Sequence, residues 1–196
     1  MINKIMNLEE GTEMYNEIMN DMNKATDNDL VIVARSFKNR KDDRVKPIDI
    51  KNGIYFYLAY DLDGKTAYIG NFSPEQIYKA KSNMIRRARL GSMMSLFSSG
   101  GSTIYEYESK EPMNVATLDK RMYGAGLLIC EEFLREMKKK IGDYYILPSS
   151  IHEIIFAPVD ILSLEDATEM VIEVNSECVS DDEYLADRAF TMKEWI

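Results

Sequence analysis

Hydrophobic positions recur along this chain with two periods, one typical of amphipathic helices and one typical of strands. Apolar residues at helical spacing predict four helices, over residues 8–25, 73–91, 124–142 and 163–179. Runs of β-branched and aromatic residues predict strands at 29–37, 144–147 and 153–156, a hairpin over 54–72, two short strands within 102–123 and one within 180–192. Hairpins beside segregated helices indicate an α+β protein with a mainly antiparallel sheet and helices packed on it.

Turn and capping residues mark where several of these elements begin. Asp63 and Gly64 form a strong hairpin turn signal between two aromatic-rich runs. Ser73, Pro74 and Gln76 form a helix-start signature, in which Ser73 caps, Pro74 occupies the first helical position and Gln76 completes a capping box. The predicted buried stripe of that helix comprises Ile77, Met84, Ile85 and Ala88.

The length of 196 residues fits one large domain or two small ones. The only candidate linker is the Ser-Ser-Gly-Gly segment at residues 98–101, which we expect to be flexible. We expect an α+β domain over residues 53–196, preceded by a helix-and-strand segment over residues 1–52. One continuous domain is the alternative.

The net charge of −9 is unevenly distributed. Residues 1–100 carry 15 Lys and Arg against 13 acids, whereas residues 101–196 carry 9 against 20. An acidic second half argues against bulk nucleic-acid binding there, because a phosphate backbone must be neutralised by cations.

The two cysteines, Cys130 and Cys178, lie on apolar helical faces and are expected to be reduced core thiols. The N-terminus lacks the apolar segment of a signal peptide, and no run approaches the roughly 20 apolar residues of a membrane span. We therefore expect a soluble, cytoplasmic protein with no membrane partner.

Three motifs in the second half resemble a bacterial domain-of-unknown-function family, numbered fifty-six eighty-eight. They are the Gly124-Ala125 pair at a helix start, the Leu-Pro-Ser-Ser-Ile-His-Glu run at 147–153, and the Glu-Val-Asn of residues 173–175 followed by a late Leu185 to Asp187. The resemblance covers residues 53–196. It implies a shared fold and implies no activity.

The only histidine, His152, stands next to Glu153 and shortly after Ser149 and Ser150. A hydrolytic triad needs a serine within hydrogen-bond reach of the histidine, and an acid behind the other ring nitrogen. Neighbours in sequence do not guarantee that geometry, and His152 and Glu153 point to opposite faces if they lie on a strand. We expect a turn in which a serine caps and His152 hydrogen-bonds locally. Binding and catalysis are the alternatives.

Metal and cofactor signatures do not occur in this sequence. One histidine and two separated cysteines offer no metal-ligand spacing, and neither a Walker pattern nor a dinucleotide-binding glycine pattern is present. We therefore expect no metal and no cofactor. The Gly-Ala-Gly run at 124–126 suggests either an anion cradle at a helix start or tight helix–sheet packing.

The predicted helix over 163–179 has one apolar and one acidic face. Its acidic face is an i, i+4 ladder of Glu165, Glu169, Glu173 and Glu177. Like charges at that spacing cost roughly 0.2–0.5 kcal/mol per pair, which a solvated face tolerates. A surface that meets a basic partner, or that mimics nucleic-acid charge, is the alternative. Its predicted core face comprises Leu164, Ala167, Val171, Val174 and Cys178.

Two basic segments, residues 35–46 and 79–89, lie in the first half beside an aromatic-rich hairpin. Basic side chains next to exposed aromatic rings are typical of single-stranded nucleic-acid binding, whereas packing of sheet against helix explains the same rings. Arg86, Arg87 and Arg89 are the candidate contacts. An intramolecular or head-to-tail match between the basic and acidic halves is a third interpretation.

These observations predict a non-enzymatic protein-interaction or regulatory module that uses its acidic helical surface. A nucleic-acid or anion binder using the two basic segments is the first alternative. A phage or mobile-element inhibitor of a host system and a hydrolase built on Ser149, Ser150 and His152 are the others.

Overall fold

The computed structural model describes residues 13–41, 44–63, 65–108, 112–148 and 150–196. Its helices are α1 (Glu13–Lys24), α2 (Pro74–Arg87), α3 (Met93–Ser99), α4 (Glu131–Ile141) and α5 (Leu164–Cys178). Its strands are β1 (Leu30–Ser36), β2 (Asp49–Lys51), β3 (Ile54–Leu62), β4 (Lys65–Tyr68), β5 (Ala88–Gly91), β6 (Asn114–Leu118), β7 (Tyr144–Leu147), β8 (Ile154–Pro158) and β9 (Phe190–Thr191). The α+β prediction is confirmed.

The strands form two antiparallel sheets. In the first, β3 is central, with β1 along one side and β2 and β4 along the other. The second has the order β5-β6-β8-β7-β9. Residue 53 lies in the turn that joins β2 to β3. Every residue of β1 pairs with a residue of β3. The segments 1–52 and 53–196 therefore share one sheet.

Helix α2 covers the free edge of β1 and so joins the two sheets. The Ile32 amide donates to the sulfur of buried Met84 (3.2 Å), and Asn83 Nδ2 donates to the Leu30 carbonyl oxygen (3.2 Å). The helix begins with the predicted capping box of Ser73 and Gln76. The residues of α2 that are buried are Ala80, Asn83, Met84 and Arg87. The buried face is therefore rotated from the predicted one, and Met84 is the residue of α2 that both have in common.

The predicted helix over 73–91 is too long. It ends at Arg87, and residues 88–91 form β5. Ala88 and Leu90 are buried because β5 pairs with β6. The stabilisation from this pairing and burial outweighs the preference of the segment for a helix. Helix α3 ends within the predicted linker, residues 98–101, where Gly100 adopts a left-handed backbone conformation. Ser102 then forms an antiparallel β-bridge with Leu90.

The predicted helix over 124–142 is divided in two. Residues 124–129 form a buried 3₁₀ helix, and α4 begins only at Glu131. A Cβ at position 126 would collide with the carbonyl oxygen of Ile32, and one at position 124 would collide with that of His152. Both glycines are therefore explained by close backbone packing. In the preceding segment, the described residues 102–108 and 112–123 contain one strand (β6), a turn and the Ser102 bridge, where two strands were predicted.

Candidate functional site

The acidic face of α5 is exposed along its whole length. The helix starts at a capping box, in which Ser163 and Asp166 satisfy each other's backbone amides. Its four ladder residues are all exposed, and they are Glu165, Glu169, Glu173 and Glu177. Within the described residues none of the four forms an ion pair. The ladder is therefore free to meet charges of a partner.

The opposite face of α5 holds the helix on the second sheet. Ala167 and Val171 are buried, whereas Leu164 and Val174 are only partly buried. Cys178 is exposed, so its prediction as a core thiol is wrong. The helix ends at Cys178, and Asn175 in its last turn donates through Nδ2 to the carbonyl oxygen of Ala186 (2.7 Å).

An apolar side chain lies among the acids. Ile172 is 51% exposed and is one of eight large hydrophobic residues that are exposed in the described part of the chain. Ile172 follows Glu169 by three positions and Glu173 follows Glu169 by four, so both are neighbours of Glu169 on the helix surface. Ile172 also lines a groove of about 630 Å³, whose opposite side includes Lys38, Tyr184 and Asp187. A concave surface with an apolar contact and an acidic border results.

Lys38 and Asn39, from the basic segment 35–46, line the far side of that groove. Arg35 donates through Nη1 to the Asp182 carbonyl oxygen (2.8 Å), and Lys38 Nζ lies 4.9 Å from the centre of the Tyr184 ring. Asn39 also donates to the carbonyl oxygen of Asp181. Part of this basic segment thus contacts the acidic segment that follows α5 within the same molecule.

The three candidate arginines near the end of α2 have different environments. Arg86 is exposed, Arg89 is half-buried, and Arg87 is buried. Arg87 forms ion pairs with Asp61 (2.8 Å) and Asp119 (3.0 Å). Only Arg86 and Arg89 therefore contribute to a basic surface.

His152 is held by several hydrogen bonds. Its Nε2 lies 3.2 Å from Glu183 Oε1, and its Nδ1 accepts from the Tyr123 amide (3.4 Å). Its carbonyl oxygen accepts from the Gly124 amide (3.0 Å) and the Thr117 hydroxyl (2.8 Å). Position 152 thus connects the start of β8 to the 3₁₀ helix, to β6 and to the loop after α5.

The protonation state of His152 follows from those contacts. Burial lowers its pKa, and Glu183 partly opposes this effect. A neutral ring with the proton on Nε2 satisfies both observed contacts, because Nδ1 must then accept.

Ser150 and Glu153 do not complete a triad with the ring. The Ser150 hydroxyl oxygen accepts from the His152 backbone amide (2.9 Å), which is the geometry of a capped turn. Ser149 lies outside the described residues. Glu153 is half-buried, and burial followed by the nearby Glu183 raises its pKa. Glu183, 31 positions away, supplies the acid at the ring.

A cluster of buried tyrosines includes Tyr57 and Tyr68 of the predicted hairpin, for which packing was one of the two interpretations, and Tyr123, for which no role was predicted. Tyr57 and Tyr68 contact edge-to-face at 5.8 Å, and Arg35 Nε donates to Tyr68 Oη (3.0 Å). Tyr123 Oη lies 2.5 Å from Thr66 Oγ1. The period-two alternation of Tyr55 and Tyr57 in β3 was the available signal, but alternation alone does not show which face is covered.

Two negative findings limit the kinds of site. Over the described ranges, no group of three or more His, Cys, Asp and Glu side chains is placed to hold a metal ion. No helix in those ranges is both long enough and apolar enough to cross a membrane.

Comparison with known proteins gives one match. A family model, described as a family of unknown function (DUF5688), matches residues 12–193. The match begins 41 positions before the resemblance found in the sequence and thus includes β1 and β2. No curated protein and no solved structure matches the chain.

Proposed function

The chain belongs to DUF5688, a family of unknown function, and on that premise we propose that it is a non-enzymatic protein-interaction module. Its acidic α5 surface binds a basic segment of another protein. Both described cysteines are free, which fits action in the reducing cytoplasm.

The observation that carries this proposal is the exposure of Ile172 between Glu169 and Glu173. Acids alone are explained by solvation, but an exposed isoleucine beside a groove adds apolar area that water does not favour. The complementary partner has an apolar side chain flanked by Lys or Arg. Such charge complementarity accelerates association and selects the partner, while the apolar contact adds affinity.

An affinity pull-down from nuclease-treated lysate of the native host, at low and high salt, tests the proposal. The baits are wild type, Glu169→Lys with Glu173→Lys, Ile172→Ser, and His152→Ala. Asp49→Lys with Asp160→Lys is the matched control, because it changes the net charge equally at two exposed acids that lie outside α5 and do not line the groove beside it. We expect a salt-sensitive protein that is lost with both α5 variants and retained by the two others.

The captured protein is then purified and its Kd measured by calorimetry. We expect weaker binding at higher salt, because exposed charges are screened within about 8 Å at physiological ionic strength. A partner that binds the α5 variants as well as wild type would contradict the proposal. A protein that is captured from untreated lysate but lost after nuclease treatment would also contradict the proposal.

A further inference from the structure

A second cleft, of about 560 Å³, lies between α2 and the start of α4. Tyr78, Lys81, Ile85 and Arg86 line it from α2, at the i, i+3, i+7 and i+8 positions of one helical face. The opposite face of α2 is fixed in the core by Met84 and its neighbours, so these side chains are directed outwards. The volume lies within the range of about 300–1,000 Å³ that is typical of small-ligand sites.

Two tyrosines are exposed at this cleft. Tyr78 is 76% and Tyr105 is 66% exposed, the highest values among the large hydrophobic residues described. Tyr105 lies on a turn held by its buried neighbours Ile104 and Tyr107, and by two backbone hydrogen bonds between Ser102 and Leu90 (2.8 and 2.9 Å). The ring is thus presented to solvent from an anchored backbone.

Three of the four charged residues that line the cleft form no ion pair within the described part of the chain. Lys81, Arg86 and Glu132 form no ion pair with any residue in the described ranges, whereas Glu131 is paired with Arg135 (3.3 Å). The cleft therefore offers cations from α2 and a carboxylate from α4. Its floor includes Cys130, and burial raises the pKa of that thiol to about 12, so the sulfur is not a nucleophile at neutral pH.

We propose that this cleft binds a nucleotide. A planar base stacks on Tyr105 or Tyr78, since aromatic rings beside cations are the usual way to hold an unpaired base. The phosphate contacts Lys81 and Arg86, and Glu132 accepts a hydrogen bond from an exocyclic amino group of the base. This assignment accounts for the presence of both charge signs in one cleft, and it does not depend on the proposed role of α5.

Isothermal titration calorimetry with AMP, adenosine and inorganic phosphate tests the assignment. We expect AMP to bind about tenfold or more tightly than either fragment, because only AMP uses both the rings and the cations. A ten-nucleotide single-stranded RNA forms a further arm. If the RNA binds more tightly than AMP, the natural ligand is single-stranded RNA. If the RNA binds equally or more weakly, the natural ligand is a free nucleotide.

Four variants separate the contacts. Tyr105→Ala and Arg86→Ala are each expected to weaken AMP binding about tenfold, while Tyr105→Phe keeps the ring and the affinity. Lys79→Ala is the matched control, because Lys79 is an exposed cation of the same helix that does not line the cleft. Unchanged thermal unfolding midpoints confirm that each variant folds. The proposal is overturned if AMP gives no heat at millimolar concentration, if phosphate alone binds as tightly as AMP, or if Lys79→Ala matches Arg86→Ala.

Discussion

The guanidinium of Arg87 lies 2.8 Å from Asp61 Oδ2, and both side chains are almost completely buried. This ion pair joins the last turn of α2 to the end of β3. Asp119 and Lys120 extend it towards the surface. A charge that the sequence assigned to a binding surface is therefore part of the interior.

Replacement of Arg87 by Ala should destabilise the protein strongly. Removing Arg87 leaves the buried Asp61 carboxylate with Lys120, 3.6 Å away, as its remaining cation. The cost should therefore lie at the lower end of the range of about 3–5 kcal/mol for breaking a buried ion pair. Arg86→Ala, one position earlier on the exposed side, should change the free energy of unfolding by less than about 0.5 kcal/mol. Urea denaturation of both variants measures the difference, and equal effects would contradict the buried role of Arg87.

The neutral state of His152 should make stability depend on pH. Its pKa is lowered on folding, so the unfolded chain binds more protons just below the ordinary histidine pKa of about 6.5. Stability should therefore fall as the pH decreases from about 6.5 towards the folded pKa. Glu183, Glu153, Arg35 and Asp182 are the charged groups near the ring.

The variant His152→Gln isolates that contribution, because the neighbouring groups are the same in both proteins. The difference in unfolding free energy between wild type and variant should shrink as the pH falls below about 6.5. Urea denaturation at several pH values measures it. A constant difference would show that folding leaves the pKa of the ring unchanged, and a difference that grows on acidification would show that folding raises this pKa.

The two cysteines should differ in reactivity. Cys178 is exposed on the last turn of α5, and Cys130 is buried beneath the 3₁₀ helix with a raised thiol pKa. Ellman's reagent should label one thiol rapidly in the native protein and the second only on unfolding in guanidinium. Cys178→Ser should abolish the fast phase. Two fast thiols in wild type would contradict the burial of Cys130.

Neutralising the central glutamate of the ladder should stabilise α5. Glu173 has like-charged neighbours at both i−4 and i+4, each repelling it by about 0.2–0.5 kcal/mol. Glu173→Gln should therefore raise the free energy of unfolding by several tenths of a kcal/mol at low salt, and by less in 1 M NaCl, where the Debye length is about 3 Å. Equilibrium unfolding at both salt concentrations is the measurement. Destabilisation at low salt would show that Glu173 makes a favourable contact.

The candidate sites could be predicted only in part. Exposure of the Glu165 to Glu177 ladder followed from its helical spacing, because no position in that face is apolar except Ile172. The contact between His152 and Glu183 could not be predicted, since the two residues are brought together by the loop after α5. The exposure of Tyr105 depends on a distant contact too, because backbone hydrogen bonds between Ser102 and Leu90 anchor the turn that carries it.

The sequence by itself determined the features that depend on near neighbours. The capping boxes at Ser73 and Ser163, the β3–β4 hairpin and the α+β class all arise from residues a few positions apart. Only the tertiary structure decided that residues 88–91 pair as a strand, and that residues 124–129 wind as a 3₁₀ helix. Residues 88–91 pair with β6, and residues 124–129 pack against the backbone of Ile32. Each of these contacts is more than 20 positions away in sequence, and burial against it outweighs the local preference for an α-helix.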